Sequence, residues 1–152
     1  MVLNKQDFKS GGLVFAQASN TLSVVANAAL KADDFVGKQL IALNLVPAIV
    51  LKSFACELFL KGLAVNNVLK EHRLDILFNN ISFEDKNYII KSVCNNIKNN
   101  TNSEYDTNQF NDDLQNIANA FVDWRYFFES KRTIKILFLD ALFEVLRQYK
   151  IK

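Results

Sequence analysis

The scarcity of glycine and proline is the feature that most constrains what this chain can fold into. Its 152 residues include four glycines and one proline, Pro47, whereas half of the residues are hydrophobic. Because β-sandwiches and barrels need many tight turns, so few helix breakers favour long helices around one core. The length is typical of a single domain. We therefore predict one all-α domain over residues 1–152, an up-down bundle of four or five helices.

The apolar pattern predicts where the helices begin and end. Residues 1–11 are predicted to be a loose N-terminus, broken from the next segment at Ser10-Gly11-Gly12. A helix rich in small residues should follow over 12–31. Pro47 is expected near a helix start, where its missing N–H costs nothing. Residues 95–108 are expected to be an asparagine-rich loop between helices.

The second half of the chain carries two cap signals. Ser82 precedes two acids and is predicted to cap a helix. Asp106, with Gln109 three residues later, resembles a capping box. From there, one apolar face predicts a single long helix, marked by Phe110, Leu114, Ile117, Ala118, Phe121 and Phe128. A short helix is expected over 71–78, and the final apolar segment should form the last helix.

The helix after Pro47 combines an apolar surface with one narrow polar stripe. The stripe follows from spacings of three and four residues and consists of Lys52, Ser53, Cys56, Glu57 and Lys61. A helix that is apolar over most of its circumference is usually central to a fold. The stripe therefore predicts polar groups inside the protein, and Glu57 and Lys61 become candidate ligand-binding residues.

The segment "FVDWRYFFES", residues 121–130, places Arg125 among aromatic side chains. On one continuous helix, Arg125 would share the core face marked above. A buried guanidinium needs a carboxylate nearby, and Glu129 and Glu57 are the candidates, with the hydroxyl of Tyr126 as a further member. Two interpretations stay open: an ion pair that fixes helix register, or a site where a phosphate or nucleobase replaces one partner.

Three segments together resemble HEPN domains. They are "SFACELFLKGLA" (53–64), "EHRLDILF" (71–78) and "DWRYFFE" (123–129), in the order and at the separations found in that family. The resemblance implies an all-α bundle of four or five helices that is frequently dimeric. It also implies an RNA- or nucleotide-associated role, in a toxin–antitoxin or phage-defence setting. A nucleotidyltransferase or an antitoxin would be the corresponding protein partner.

The ribonuclease members of this family carry an arginine followed, after four to six residues, by a histidine. Counting from Arg125, the corresponding positions hold Ser130, Lys131 and Arg132, none of which handles a proton readily at neutral pH. The leading hypothesis is therefore a non-catalytic domain that binds RNA, a nucleotide or a partner protein. One alternative is a divergent, metal-independent ribonuclease that uses Arg125, His72 and Glu57. Another is a purely structural dimerisation module.

The remaining features set the expectations for cofactors, location and assembly. His72 is the only histidine, and its structural interpretation is a helix cap or a hydrogen bond to the backbone. With one histidine and two cysteines that form no CxxC motif, we expect no metal and no cofactor. A formal charge of +2 and the lack of a signal-peptide pattern favour a cytoplasmic protein with no membrane partner. Surplus apolar residues in the last two helices predict that a homodimer forms through them.

Overall fold

The computed structural model describes residues 4–29, 31, 35–119 and 135–150, and these form six helices. The helices are α1 (Lys5–Ala29), α2 (Phe35–Leu63), α3 (Leu74–Asn79), α4 (Phe83–Thr101), α5 (Thr107–Asn116) and α6 (Ile136–Gln148). Within the described ranges the only β-type pairing is an isolated bridge between Ala64 and Ile81. The all-α prediction is confirmed.

All six helices contribute to one hydrophobic core, and α6 lies against both α2 and α4. An aromatic series joins three of the helices. The ring of Phe110 on α5 lies 5.3 Å from that of Phe78 on α3 and 5.2 Å from that of Phe138 on α6. Most apolar side chains of α6 are buried within the chain. The apolar residues of the last two helices suggested a dimer. In α6, most of these residues belong instead to the core of the protomer.

The N-terminus differs from the predicted loose segment over 1–11, because α1 already begins at Lys5. Asn4 and Asp7 cap it reciprocally, each side chain accepting a hydrogen bond from the backbone N–H of the other. The paired glycines serve close packing: a Cβ added at Gly12 would lie 2.6 Å from the ring of Phe59 on α2. We expected the two glycines to break the chain, but they lie inside α1, where it packs closely against α2.

The expectation that Pro47 begins a helix is wrong, since Pro47 lies inside the 29-residue α2. An interior proline removes one backbone hydrogen bond and costs roughly 3 kcal/mol or more. The long packing of α1 along α2 offsets that cost. Next to Pro47, the carbonyl of Ala48 accepts a 2.8 Å hydrogen bond from the hydroxyl of Ser19 on α1, and both residues are buried.

Helix α2 is also the one described helix long and apolar enough to cross a membrane by length and composition alone. The relevant stretch is Gln39–Leu63, with a mean hydropathy of 1.7, and 44% of it is buried inside the protein. Buried core helices pass the same criterion, so this property by itself assigns no location.

Both predicted caps are confirmed. Ser82 accepts a hydrogen bond from the N–H of Asp85, and Asp106 forms the reciprocal capping box with Gln109 at 2.9 Å in each direction. The predicted loop over 95–108 is shorter than expected, because α4 continues to Thr101. Its apolar face extends to the buried Ile97, and this packing outweighs the weak helix propensity of asparagine.

The long helix predicted from residue 110 to residue 128 does not form as such, because α5 ends at Asn116. The carbonyl of Ala118 instead accepts a 2.9 Å hydrogen bond from the N–H of Leu74 at the start of α3. The placement of Arg125 on the core face assumed one unbroken helix, and that assumption is incorrect. Arg125, Tyr126 and Glu129 themselves lie outside the described residues.

Candidate functional site

The polar stripe of α2 divides into a structural part and a second part that meets a loop. In the structural part, Lys52 forms a 2.5 Å ion pair with Asp140 of α6. The hydroxyl of Ser53 donates to the carbonyl of Ile49 one turn earlier. Cys56 is fully buried, and burial raises the pKa of its thiol far above the usual range. A thiol that stays protonated is a poor nucleophile, so this part of the stripe holds helices together.

The second part is a buried ion pair near the end of α2. The ammonium of Lys61 lies 2.7 Å from Oε1 of Glu57, and their side chains are 5% and 1% exposed. The same ammonium donates to the carbonyl of Leu69, 3.0 Å away in the loop between α2 and α3. The pair therefore ties this loop to the central helix. The fold tolerates these two buried charges only because each has a partner of opposite sign.

His72 contacts this pair from the solvent side. Its Nδ1 lies 3.0 Å from Oε1 of Glu57, and 60% of its side chain is exposed. An ionised carboxylate can only accept hydrogen bonds, so Nδ1 carries the proton in this contact. In a neutral ring, Nε2 then has the free lone pair. We define the Glu57 cluster as Glu57, Lys61 and His72.

The structural interpretation of His72 is therefore wrong in its detail. The residue that precedes α3 is Arg73, whose side chain makes no capping hydrogen bond, and the partner of the imidazole among the described residues is a carboxylate. The backbone around it is held by Glu71, whose Oε1 accepts from the N–H groups of His72 and Arg73 at 2.9 and 2.8 Å. The imidazole is thus fixed through both its backbone and its ring.

The other carboxylate oxygen of Glu57 is the least satisfied atom of the cluster. Oε2 is buried, and it has no hydrogen-bond partner within the ranges the structure covers. A buried acceptor without a donor costs about 1–3 kcal/mol, more for a charged group. A donor from a ligand or from another part of the chain would be strongly favoured here. Our expected donor, Arg125, is one of the residues not described.

The structure brings together three of the predicted residues: Glu57, Lys61 and His72. It also reveals contributions that the sequence analysis missed, the carbonyl of Leu69 and the carboxylate of Asp140. A carbonyl carries no residue-type signal, and Asp140 lies on a predicted core helix without any pattern that marks it. Among the described residues, no group of histidines, cysteines and acids could hold a metal ion.

The sequence matches no family model, and neither characterised proteins nor solved structures match it. The HEPN resemblance of the three quoted segments therefore stays a prediction, and the observation that bears on function is the geometry of the Glu57 cluster.

Proposed function

We propose that this protein is a HEPN-like, non-catalytic helical domain that binds RNA or a nucleotide through a phosphate group at His72. The observation that carries the proposal is the position of His72, an exposed imidazole anchored through Nδ1 to the buried carboxylate of Glu57. Such anchoring is typical of functional histidines, because it fixes the ring orientation and leaves Nε2 for a ligand. A phosphate oxygen only accepts hydrogen bonds, so the phosphate binds the imidazolium form of His72, in which Nε2 also carries a proton and donates it.

The loop that carries His72 also presents exposed basic side chains to an anion. Lys70, His72 and Arg73 are all exposed and occur within four consecutive positions of one loop. Arg73 is bound on one side to Asp75, 2.7 Å away, yet half of its side chain remains accessible. Basic and hydrogen-bonding side chains on a fixed loop are the usual contacts to phosphate oxygens, and they act independently of base sequence.

Binding can be measured by fluorescence anisotropy with labelled single-stranded RNA and, separately, with a labelled nucleotide. His72→Ala removes one hydrogen bond to a charged group, so we expect affinity to fall about tenfold or more. Lys91→Ala is the matched control, because Lys91 is an exposed cation on α4 away from the cluster. Equal affinity of both variants, or no binding by the wild type, would contradict the proposal.

A second candidate, the metal-independent ribonuclease, is favoured by one specific contact. A histidine oriented by a carboxylate is the arrangement that general bases adopt in nucleophilic catalysis. Incubation of the protein with labelled RNA in the presence of EDTA distinguishes the two candidates. The non-catalytic proposal expects intact RNA, whereas cleavage that His72→Ala abolishes would replace it with the ribonuclease.

A further inference from the structure

Phe83 presents an aromatic ring to solvent at the start of α4. It is 77% exposed, more than any other large hydrophobic residue whose side chain is described, and it is the only phenylalanine in that exposed group. A hydrophobic staple at a helix start would not use this ring, because the staple joins the residue before the cap to the fourth helical residue. Those positions hold Ile81 and Lys86. The exposure of Phe83 therefore has no explanation in the packing of the protomer.

The ring lies near the loop that carries His72. His72 precedes α3 and Phe83 follows it, and α3 has six residues, which corresponds to a length of about 9 Å. The loop between α2 and α3 runs back along this distance. At its start, the N–H of Val65 donates a 2.9 Å hydrogen bond to the carbonyl of Asn80, three positions before Phe83. One continuous loop thus connects the neighbourhood of Phe83 with His72.

The first part of this loop exposes amide side chains. Asn66 and Asn67 are both exposed, and Nδ2 of Asn66 donates a 3.0 Å hydrogen bond to Oδ1 of Asn80. An amide nitrogen has two hydrogens, so Asn66 keeps one donor and its own Oδ1 for another partner. Side-chain amides of this kind form hydrogen bonds with the edges of unpaired bases.

Charge differs between the two ends of this surface. The exposed side chains at the His72 end include Lys70 and Arg73, whereas the residue next to Phe83 is the exposed acid Glu84. A phosphate is therefore attracted to the His72 end and repelled from the vicinity of Phe83. An uncharged aromatic group fits the Phe83 end, because stacking on a ring needs no charge.

We propose that Phe83 is a stacking platform for an unpaired base, which makes single-stranded RNA the ligand of this surface. The inference rests on the proposed phosphate contact at His72, and it adds a base at Phe83 with Asn66 at the base edge. Every base has a π-face, so such stacking tolerates any sequence. The bases of a duplex are stacked on each other and cannot cover the ring, so double-stranded RNA should bind more weakly.

Anisotropy with two labelled oligomers of equal length tests this inference. One is a single-stranded RNA, and the other is an abasic oligomer that has the same backbone but no bases. The wild type should bind the RNA about tenfold or more tightly than the abasic oligomer, because one stacked base contributes that much affinity. Phe83→Ala and Phe83→Leu should fold normally and bind both oligomers alike, at the wild-type affinity for the abasic one.

The matched control is Tyr88→Ala. The ring of Tyr88 is 55% exposed on the same helix, but it already lies 5.1 Å from that of Tyr149. This variant should keep the wild-type preference for RNA.

Phe83→Trp reports the stacking directly. It should bind the RNA at least as tightly as the wild type, and the added tryptophan fluorescence should be quenched by the RNA but not by the abasic oligomer. The signal of the chain's own tryptophan, Trp124, is measured in the wild type and subtracted.

The stacking inference and the phosphate contact fail in different ways. RNA binding that His72→Ala weakens, but that Phe83→Ala leaves unchanged, would overturn the stacking and keep the phosphate contact. A Phe83→Leu variant that binds RNA like the wild type would also overturn it, because apolar area alone would then suffice. Equal affinity of the wild type for single-stranded and double-stranded RNA would do the same. A wild type that binds neither oligomer would overturn both proposals.

Discussion

The two halves of α2 differ in which kinds of side chain they bury and which they expose. The C-terminal half is packed on several sides, and it buries both charges of the Glu57–Lys61 pair. The N-terminal half has α1 alongside it, and it exposes valine and leucine where charged residues would be expected. The comparison teaches that neighbouring elements, not the helix's own composition, determine what is buried.

The largest expected effect of a substitution lies at the buried pair. Glu57→Ala leaves Lys61 buried without its carboxylate, so we expect unfolding to become easier by about 3–5 kcal/mol. For a domain of this size that corresponds to a decrease in Tm of about 10 °C, measured by thermal circular dichroism.

The matched control uses an ion pair of equal length at the surface. The ammonium of Lys98 lies 2.7 Å from the carboxylate of Glu104, and the latter side chain is 94% exposed. Water and salt screen such a pair, so Glu104→Ala should leave Tm almost unchanged. Similar decreases in Tm for both variants would show that burial does not distinguish them.

A smaller effect is expected where α1 touches the covered half of α2. Gly12→Ala places a Cβ 2.6 Å from the ring of Phe59, so we expect a loss of about 1–3 kcal/mol in urea unfolding. Gly11→Ala is the neighbouring control. Its Cβ would lie 3.4 Å from the side chain of Leu58, and alanine favours a helix over glycine by about 0.5–1 kcal/mol. The two substitutions should therefore change stability in opposite directions, and equal effects would place the close contact elsewhere.

The smallest effect on protomer stability is expected in the exposed half. Because Leu43 is 69% exposed, Leu43→Asp should change the unfolding free energy of the protomer by no more than about 0.5 kcal/mol. Urea unfolding checks this. A large loss would mean that the side chain of Leu43 is covered within the chain.

Features encoded by local chemistry were predictable from the sequence. The caps at Ser82 and Asp106 depend on neighbouring residues, and the polar stripe that holds Glu57 and Lys61 depends on spacings of three and four along one helix. That these two residues pair with each other was not predicted, since the expected partner of Glu57 was Arg125. The prediction of an all-α fold needed only the scarcity of glycine and proline.

The remaining features depend on contacts between distant segments. Helix α1 runs through its two glycines because Gly12 fits closely against Phe59, and α5 ends just before Ala118 bonds Leu74. In the candidate site, His72 meets Glu57 across fifteen positions. The sequence could not show that approach, because no periodicity connects a loop residue with a helix residue.

The central claim is that Glu57 holds His72 in place for a ligand, and the double variant Glu57→Leu, Lys61→Met tests it most directly. The exchange removes both buried charges together and keeps the volumes similar, so the fold should be as stable as the wild type or more stable. His72 remains but loses its anchor. We predict a fully folded protein whose affinity for labelled RNA or nucleotide, measured by anisotropy, is reduced about tenfold. A folded double variant that binds either ligand as tightly as the wild type would contradict the account.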